Sequence, residues 1–283
     1  MRIEELAPAK LNLTLDVGEK HYDGYHDVTS VMTSAALYDT VTLESGTGSG
    51  ITVSCNDATL ACDETNLAYR AAQLFFAHSG IECDGVNIHL HKRIPMQAGL
   101  GGGSSDAAAV LRGLRRLYAP NMTIRELERV SIHLGSDVPY CICGATTLVT
   151  GRGEQLRKLP AMPACWYVLS KPEESYSTAA MYKRIDDTQP QCDVCTEAMM
   201  AALEKGDVNA VAANIGNIFE YVLPEENMVT AIRSRLLELG AKAACMSGSG
   251  SAVFGLFTDE AAAAAACEAL KAAYPNTFLA KSV

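Results

Sequence analysis

Residues 95–106 read Pro-Met-Gln-Ala-Gly-Leu-Gly-Gly-Gly-Ser-Ser-Asp, and four of the five positions from Gly99 to Gly103 are glycine. Glycine admits positive φ and lets a ligand approach the backbone closely. The run leads straight into the clearest helical pattern of the chain. From Ser104 to Tyr118 the residues Ala107, Val110, Leu111, Leu114, Leu117 and Tyr118 form one apolar stripe, with Arg112, Arg115 and Arg116 outside it. Free N–H groups at such a helix start, with the helix dipole behind them, favour an anion such as phosphate. Ser104 and Ser105 serve either as caps or as hydroxyl contacts to phosphate or metal. A flexible loop with an ordinary serine cap is the competing reading. The segment contains no G-x-x-x-x-G-K-[ST], and it breaks G-x-G-x-x-G because Ser104 stands at the sixth position. The catalytic-loop signature of a protein kinase is absent as well.

The chain of 283 residues is long enough for one large domain or two ordinary ones. With 48% apolar and 20% charged residues it falls outside the disordered and fibrous classes. A formal charge of −10 argues against a surface that coats nucleic acid. The ten cysteines are scattered through a chain too large to need staples, so reduced thiols used as small core residues are expected. Cys192 and Cys195 form a lone CxxC with no second pair and no nearby histidines, and chance spacing accounts for it. Met1-Arg2-Ile3-Glu4-Glu5 carries acids where a signal peptide has bases, and no apolar run reaches the length of a membrane span. A cytoplasmic location is the resulting expectation.

Leu11, Leu13, Leu15 and Val17 alternate with Asn12, Thr14 and Asp16, which predicts a strand with two unlike faces and Lys10 on the polar one. Further strands are expected at Val28–Leu37, Thr40–Leu43 and Val86–His91, a turn-rich tip at 46–50, and a helix from Thr65 to His78 ending near Gly80. Thr123-Ile124-Arg125-Glu126 is a capping box whose helix should stop at Gly135. Beyond Leu156 come a strand at Trp166–Ser170 and helices around Thr178, Ala198, Ala210 and Ile232. Strands near Lys242–Cys245 and Ala252–Phe257 and an alanine-rich helix from Glu260 close the chain. Without regular βαβ spacing the class is α+β, divided into residues 1–155 and 156–283.

Four shorter elements hold polar residues that could act. Gly135-Ser136-Asp137-Val138-Pro139 places Pro139 in a first helical turn, with Ser136 or Asp137 as its cap. A carboxylate held there could instead accept or orient a substrate proton. Lys10 shares a face with Asn12, which makes either a solvated surface or a polar pocket. Asp23-Gly24-Tyr25-His26 is a hairpin turn or a platform that stacks and hydrogen-bonds a planar ring. Ser247-Gly248-Ser249-Gly250-Ser251 is a plain turn or a second backbone nest.

Taken in order, Ala7-Pro8-Ala9-Lys10-Leu11-Asn12-Leu13, Asp23 to His26, Gly99 to Ser105, Gly135 to Pro139 and Ser247 to Ala252 resemble the GHMP small-molecule kinase superfamily. The Asp-Gly-Tyr-His and Gly-Ser-Asp-Val-Pro elements point to its branch acting on a cytidyl diphosphate in non-mevalonate isoprenoid synthesis. The resemblance implies a two-domain fold, with an N-terminal half like ribosomal protein S5 that binds ATP and a ferredoxin-like C-terminal half. It implies transfer of phosphate from ATP, with Mg2+, to the tertiary 2-hydroxyl of a methylerythritol unit. Asp137 then matches the catalytic base and Lys10 the group that orients the hydroxyl. Pro95, Met96, Gln97, Ala98, Gly99, Leu100, Gly101, Gly102, Gly103, Ser104 and Ser105 match the loop around the ATP phosphates, and Asn66 a position near the adenosine. Asn12, Tyr25 and His26 match substrate contacts, with Tyr25 stacked on cytosine and Tyr182 on its other face. The magnesium ligands stay unassigned.

His21-Tyr22-Asp23 replaces the arginine–proline pair expected before Asp-Gly-Tyr-His, and Gln97-Ala98 replaces a small-residue step. The implied partner is a small cytidyl diphosphate, with no nucleic acid and no membrane, and the chain a monomer or homodimer. Competing readings are a sibling kinase acting on mevalonate, homoserine or a sugar, and a non-catalytic nucleotide sensor on the same scaffold. Tyr25 and His26 weigh against the first, because those substrates lack a base to stack. Lys10 and Asp137 together weigh against the second. The broken glycine spacing weighs against a third, a hydride-transferring dinucleotide enzyme.

Overall fold

A computed structural model describes residues 1–48 and 50–283; the turn expected at 46–50 includes residue 49, which lies outside the described residues. In chain order the elements begin with β1 (Arg2–Lys20), β2 (His26–Ser45), β3 (Ile51–Cys55), α1 (Leu67–Ser79), β4 (Val86–His91) and α2 (Gly102–Tyr118). There follow α3 (Ile124–Ser131), α4 (Val138–Cys143), β5 (Thr147–Thr150), β6 (Gln155–Lys158), β7 (Trp166–Ser170), α5 (Thr178–Thr188), α6 (Thr196–Lys205) and α7 (Val208–Ala213). The two-residue β8 (Gly216–Asn217), a 3-10 helix (Ile218–Val222), α8 (Met228–Glu238), β9 (Ala243–Met246), β10 (Val253–Phe257), α9 (Glu260–Lys271) and β11 (Thr277–Lys281) complete it. The chain separates into two compact units, and both β1 and β2 contribute residues to each of them.

The first unit holds Met1–Ala9, Tyr38–Ile94 and Gly101–Gly144. Its strands run in the order β3-β4-β2-β1, with β3 parallel and β2 antiparallel to β4. Helix α1 starts where the Asn66 side chain accepts the N–H of Ala68, and it stops where left-handed Gly80 donates to Phe76 O. The stripe on α2 is buried at Ala107, Val110, Leu111 and Leu114, as its spacing predicts. Gly113 lies on that buried side, where a Cβ would come within 2.1 Å of Leu43 Cδ1, so the missing side chain lets the helix sit close to β2.

The second unit holds Lys10–Leu37, Pro95–Leu100 and Ala145–Val283. There β8 lies parallel to β1, β5 is antiparallel to β2, and β6 pairs with β5. A separate antiparallel sheet has the order β11-β7-β10-β9. Counted in chain order its strands stand 4-1-3-2, the ferredoxin-like arrangement. Helix α8 covers β9 and β10, and α9 covers β7 and β11. Leu15, Val17, Val168, Phe219, Ile232, Leu236, Phe257 and Leu270 belong to one buried cluster beneath them.

Three expected boundaries shift, each for a physical reason. The strands expected at 28–37 and 40–43 are one continuous β2, because Asp39 is buried in an ion pair and forms no turn. Helix α2 begins at Gly102, two residues before Ser104, because left-handed Gly101 (φ 67°) makes the entry without any side-chain cap. Helix α3, whose capping box between Thr123 and Glu126 is fully formed, ends at Ser131, short of Gly135, because the next N–H groups bond only three residues back, His133 N to Val130 O and Leu134 N to Ser131 O, and tighten the chain into turns. Among the described residues, no helix is long and apolar enough to cross a membrane. All ten cysteines are free thiols.

Candidate active site

In the first unit the residues on either side of the glycine-rich run are held by one buried lysine. Lys92 Nζ, at the end of β4, donates to Asp39 Oδ2 and to Asp106 Oδ2, the latter at 2.5 Å. Asp39 Oδ1 also accepts the backbone N–H of Arg93 at 2.5 Å and of Ile94 at 2.8 Å. Burial opposes the Lys92 charge, but the two carboxylates more than offset it and raise its pKa. Burial pushes Asp106 up to about 7, with Lys92 pulling it down and Asp39 pushing it further up. The other carboxylate oxygen, Asp106 Oδ1, is buried and has no hydrogen-bond partner among the described residues. Gly102 packs on this cluster, where a Cβ would lie 3.2 Å from Ile94 Cγ2 and 3.4 Å from Lys92 Nζ.

Two serines of the same unit do not cap α2. Ser104 and Ser105 both lie within the helix, and buried Ser105 donates its hydroxyl to Pro8 O at 2.8 Å. The first N–H groups of α2 therefore have no side-chain cap, which leaves them for a ligand or solvent. Asn66 is engaged as the cap of α1 and donates to Ala61 O at 2.6 Å. Asp137 precedes α4 without making a side-chain capping bond to it, and Pro139 sits in the first turn as expected. Capping does not account for this carboxylate.

In the second unit Lys10 and Asn12 face one another on the polar side of β1, and both are buried. Their burial rules out the solvated-surface reading of this face. Lys10 Nζ donates to Asn12 Oδ1 at 2.7 Å, and the same oxygen accepts the N–H of Gly248 at 2.9 Å. Asn12 Nδ2 donates to Ser30 Oγ at 2.8 Å. The Ser247–Ser251 turn joins β9 to β10 and is packed inward, with Ser247 and Ser251 fully buried. Ser247 Oγ donates to Gly99 O at 2.9 Å, and Ala252 N donates to Ala98 O at 3.0 Å. Gly99 has φ of 73°, and a Cβ there would stand 2.0 Å from Ser247 O. Only glycine fits that contact. Residues 98–100 are thus fastened to the turn on one side and, through Leu100 O accepting Lys10 N at 2.9 Å, to β1 on the other.

The hairpin between β1 and β2 carries a cluster of rings in the same unit. Tyr25 is exposed, and the Arg152 guanidinium lies 4.6 Å from its ring centre. Arg152 also pairs with Asp23, whose Oδ1 accepts the N–H of Tyr25. His26 is buried, with Nε2 at 2.7 Å from Asp186 Oδ1. The hydrogen bonds of Lys20 and then His26 hold the Asp186 carboxyl below the usual range. Tyr182 stacks on His26 with ring centres 5.1 Å apart and meets Phe219 edge-on. An exposed tyrosine ring next to an imidazole of fixed orientation is a surface for a flat heterocycle with polar edges. Arg152 and Asp186 had no signal in the sequence, since each acts on a residue far away along the chain.

Comparison with known proteins places the chain in a family. The family described as GHMP kinases N terminal domain matches residues 66–145, and GHMP kinases C terminal matches residues 199–276. The 4-diphosphocytidyl-2-C-methyl-D-erythritol kinase of Macrococcus caseolyticus is 42% identical over 278 residues, covering 98% of each chain. The kinase of the same name from Bacillus licheniformis is 45% identical, over 90% of this chain and 88% of its own. A crystal structure of 4-(cytidine 5'-diphospho)-2C-methyl-D-erythritol kinase superposes with a TM-score of 0.84 at 34% identity, over 99% of both chains. The chain belongs to the GHMP kinases, and within them to the family of these 4-diphosphocytidyl-2-C-methyl-D-erythritol kinases. It is a small-molecule kinase, for which ATP is the phosphate donor.

Proposed function

We propose that this kinase phosphorylates the 2-hydroxyl of 4-diphosphocytidyl-2-C-methyl-D-erythritol, a step of isoprenoid precursor synthesis, with Asp137 as general base and Lys10 orienting the hydroxyl. The observation that carries the choice of substrate is the stacked His26–Tyr182 pair, with exposed Tyr25 next to His26 in the chain, aromatic surface that a kinase of mevalonate or homoserine has no use for. The sensor reading offers no role for a buried lysine ammonium fixed by Asn12.

In the proposed reaction the substrate oxygen forms a bond to the γ-phosphorus of ATP. The bond from that phosphorus to the β,γ-bridging oxygen breaks, ADP leaves, and the hydroxyl proton passes to Asp137. Such transfers depend on positioning and on charge stabilisation more than on covalent help from the protein. Lys10 contributes a fixed positive charge, and the backbone N–H groups of residues 95–105 contribute dipoles to the phosphates. Asn12, Tyr25 and His26 hold the substrate, and Tyr182 closes the other face of the base. Asn66 lies toward the adenosine. Residues 1–155 supply the ATP-binding part and residues 156–283 the remainder. The cytoplasm is the proposed location, the chain acts as a monomer or homodimer, and its partner is the small cytidyl diphosphate, without nucleic acid or membrane.

Among the described residues no three His, Cys, Asp or Glu side chains gather as a metal site. Mg2+ in general keeps several waters and binds through nucleotide phosphates with one or two protein oxygens. Bound with ATP, magnesium would supply neutralisation of phosphate charge. The Ser104 and Ser105 hydroxyls are the protein groups proposed nearest to it, Ser105 after release from Pro8 O.

Tyr25→Ala tests the substrate assignment. Loss of a stacked ring is worth about 1–3 kcal/mol per base, so KM for the cytidyl substrate should rise roughly tenfold or more while KM for ATP stays within about twofold. An unchanged substrate KM removes Tyr25 from the base site.

A further inference from the structure

The turn that fixes both Lys10 and Gly99 is itself held by a residue that touches neither. Asn217 ends β8, is 1% exposed, and sends its amide nitrogen to two carbonyls of that turn. Nδ2 donates to Met246 O and to Gly248 O, both at 2.8 Å, while Oδ1 accepts the N–H of Phe219 at 2.9 Å and caps the 3-10 helix. Both amide hydrogens and the oxygen are in use, so the side chain has one orientation. Gly248 is the residue whose N–H is accepted by Asn12 Oδ1, the oxygen that takes the Lys10 ammonium. A Cβ on Gly248 would lie 3.0 Å from Lys10 Nζ and 3.2 Å from Gly99 O, so the peptide sits in contact with both groups.

A second residue of the 3-10 helix braces the same strand end. Glu220 Oε1 accepts Met246 N at 2.8 Å. Burial raises the Glu220 carboxyl, and Arg233 opposes that from 3.6 Å while also donating to Ala244 O at 3.2 Å. The 3-10 helix therefore grips β9 through Glu220 at the N–H of Met246 and through Asn217 at the carbonyls of Met246 and Gly248. Buried hydrogen bonds of this kind, fully satisfied, fix a single geometry.

We propose that Asn217 is a positioning residue for phosphoryl transfer, setting the Lys10 ammonium through Gly248 and Asn12. The proposal rests on the reading of Lys10 as the group that orients the acceptor hydroxyl. A displacement of about 1 Å in such a group can cost about a hundredfold in rate. Asn217 thus acts on kcat through Lys10.

The test is a double-mutant cycle on the full chain with steady-state kinetics and thermal melting. Lys10→Ala alone reads the premise: wild-type turnover in that variant removes Lys10 from the reaction and is a failure of the functional reading, separate from any result at Asn217. With Lys10 essential, Asn217→Ala should lower kcat about 10- to 100-fold with KM for the cytidyl substrate within about threefold. In the Lys10→Ala background the same substitution should lower kcat by less than about twofold, because the two residues act as one unit. Equal losses in both backgrounds overturn the proposal. Asn217→Asp separates positioning from capping. It keeps the acceptor for Phe219 N but turns a carboxylate toward two carbonyls, so it should be at least as slow as Asn217→Ala. An Asp variant with wild-type kcat shows that only the cap matters and overturns the proposal. Unfolding of both variants at the assay temperature makes Asn217 a determinant of the fold and likewise counts against it.

Discussion

Asp137→Asn is expected to lower turnover by about 100- to 10,000-fold, the range typical of a lost general base, while the dissociation constant for ATP stays within about twofold. The substitution keeps the volume and planar shape of the side chain while removing its negative charge and its ability to take a proton. Helix α4 does not depend on that carboxylate for its cap. Pro139 in the first turn and the bond from Cys141 N to Asp137 O, at 3.0 Å, hold the helix start through backbone geometry. Single-turnover measurements with bound ATP should show the loss in the chemical step. Parallel loss of ATP affinity and turnover would falsify the base assignment and give Asp137 a part in nucleotide binding or folding.

The largest effect on stability is expected from Lys92→Met. Removing one partner from a buried ion cluster leaves uncompensated charge and typically costs about 3–5 kcal/mol. Here the lysine is shared by Asp39 and Asp106, both buried, so the remaining carboxylates face each other without a cation. The pH dependence has a definite sign. Asp106 is raised to about 7 in the folded protein, above its unfolded value. The folded state therefore holds the extra proton between those values, and stability from this group is present at low pH and lost as pH rises through about 7. Without Lys92 to pull it down, Asp106 should titrate higher still. Chemical denaturation should then show a larger deficit for Lys92→Met at about pH 8 than at about pH 5. A deficit independent of pH, or one below about 1 kcal/mol, contradicts the picture of one buried lysine serving two carboxylates. ATP binding should weaken along with stability, since the cluster holds the backbone of Arg93 and Ile94 before the glycine-rich run and Asp106 after it.

Local signals were legible where a short stretch of chain determines its own structure. The Thr123–Glu126 capping box, the Gly80 stop and the buried stripe of α2 all follow from spacing within a single element. The glycine-rich run was readable as an entry to a helix, but its first helical residue was not, because Gly101 replaces the expected serine cap by its backbone alone. Asp39 looked like part of a break between two strands. Its role depends on Lys92, 53 residues further on, and no local pattern encodes that pairing. The chemistry of Lys10 shows the same division. Its place on the polar face of β1 is a matter of alternation, whereas its geometry is set by Gly248, 236 residues away from Asn12. Arg152 on Tyr25 and Asp186 on His26 belong to this second kind, in which a folded contact selects residues that sequence spacing treats as ordinary surface charge.

Release of ADP with ATP and magnesium, followed across four acceptors, tests the central claim most directly. The acceptors are 4-diphosphocytidyl-2-C-methyl-D-erythritol, mevalonate, homoserine and galactose, with Asp137→Asn as the blank. Turnover with the cytidyl substrate alone, abolished in the blank, is the predicted result. Turnover with one of the other three, or none with any acceptor while ATP still binds, contradicts it and moves the chain to a sibling kinase or a nucleotide sensor.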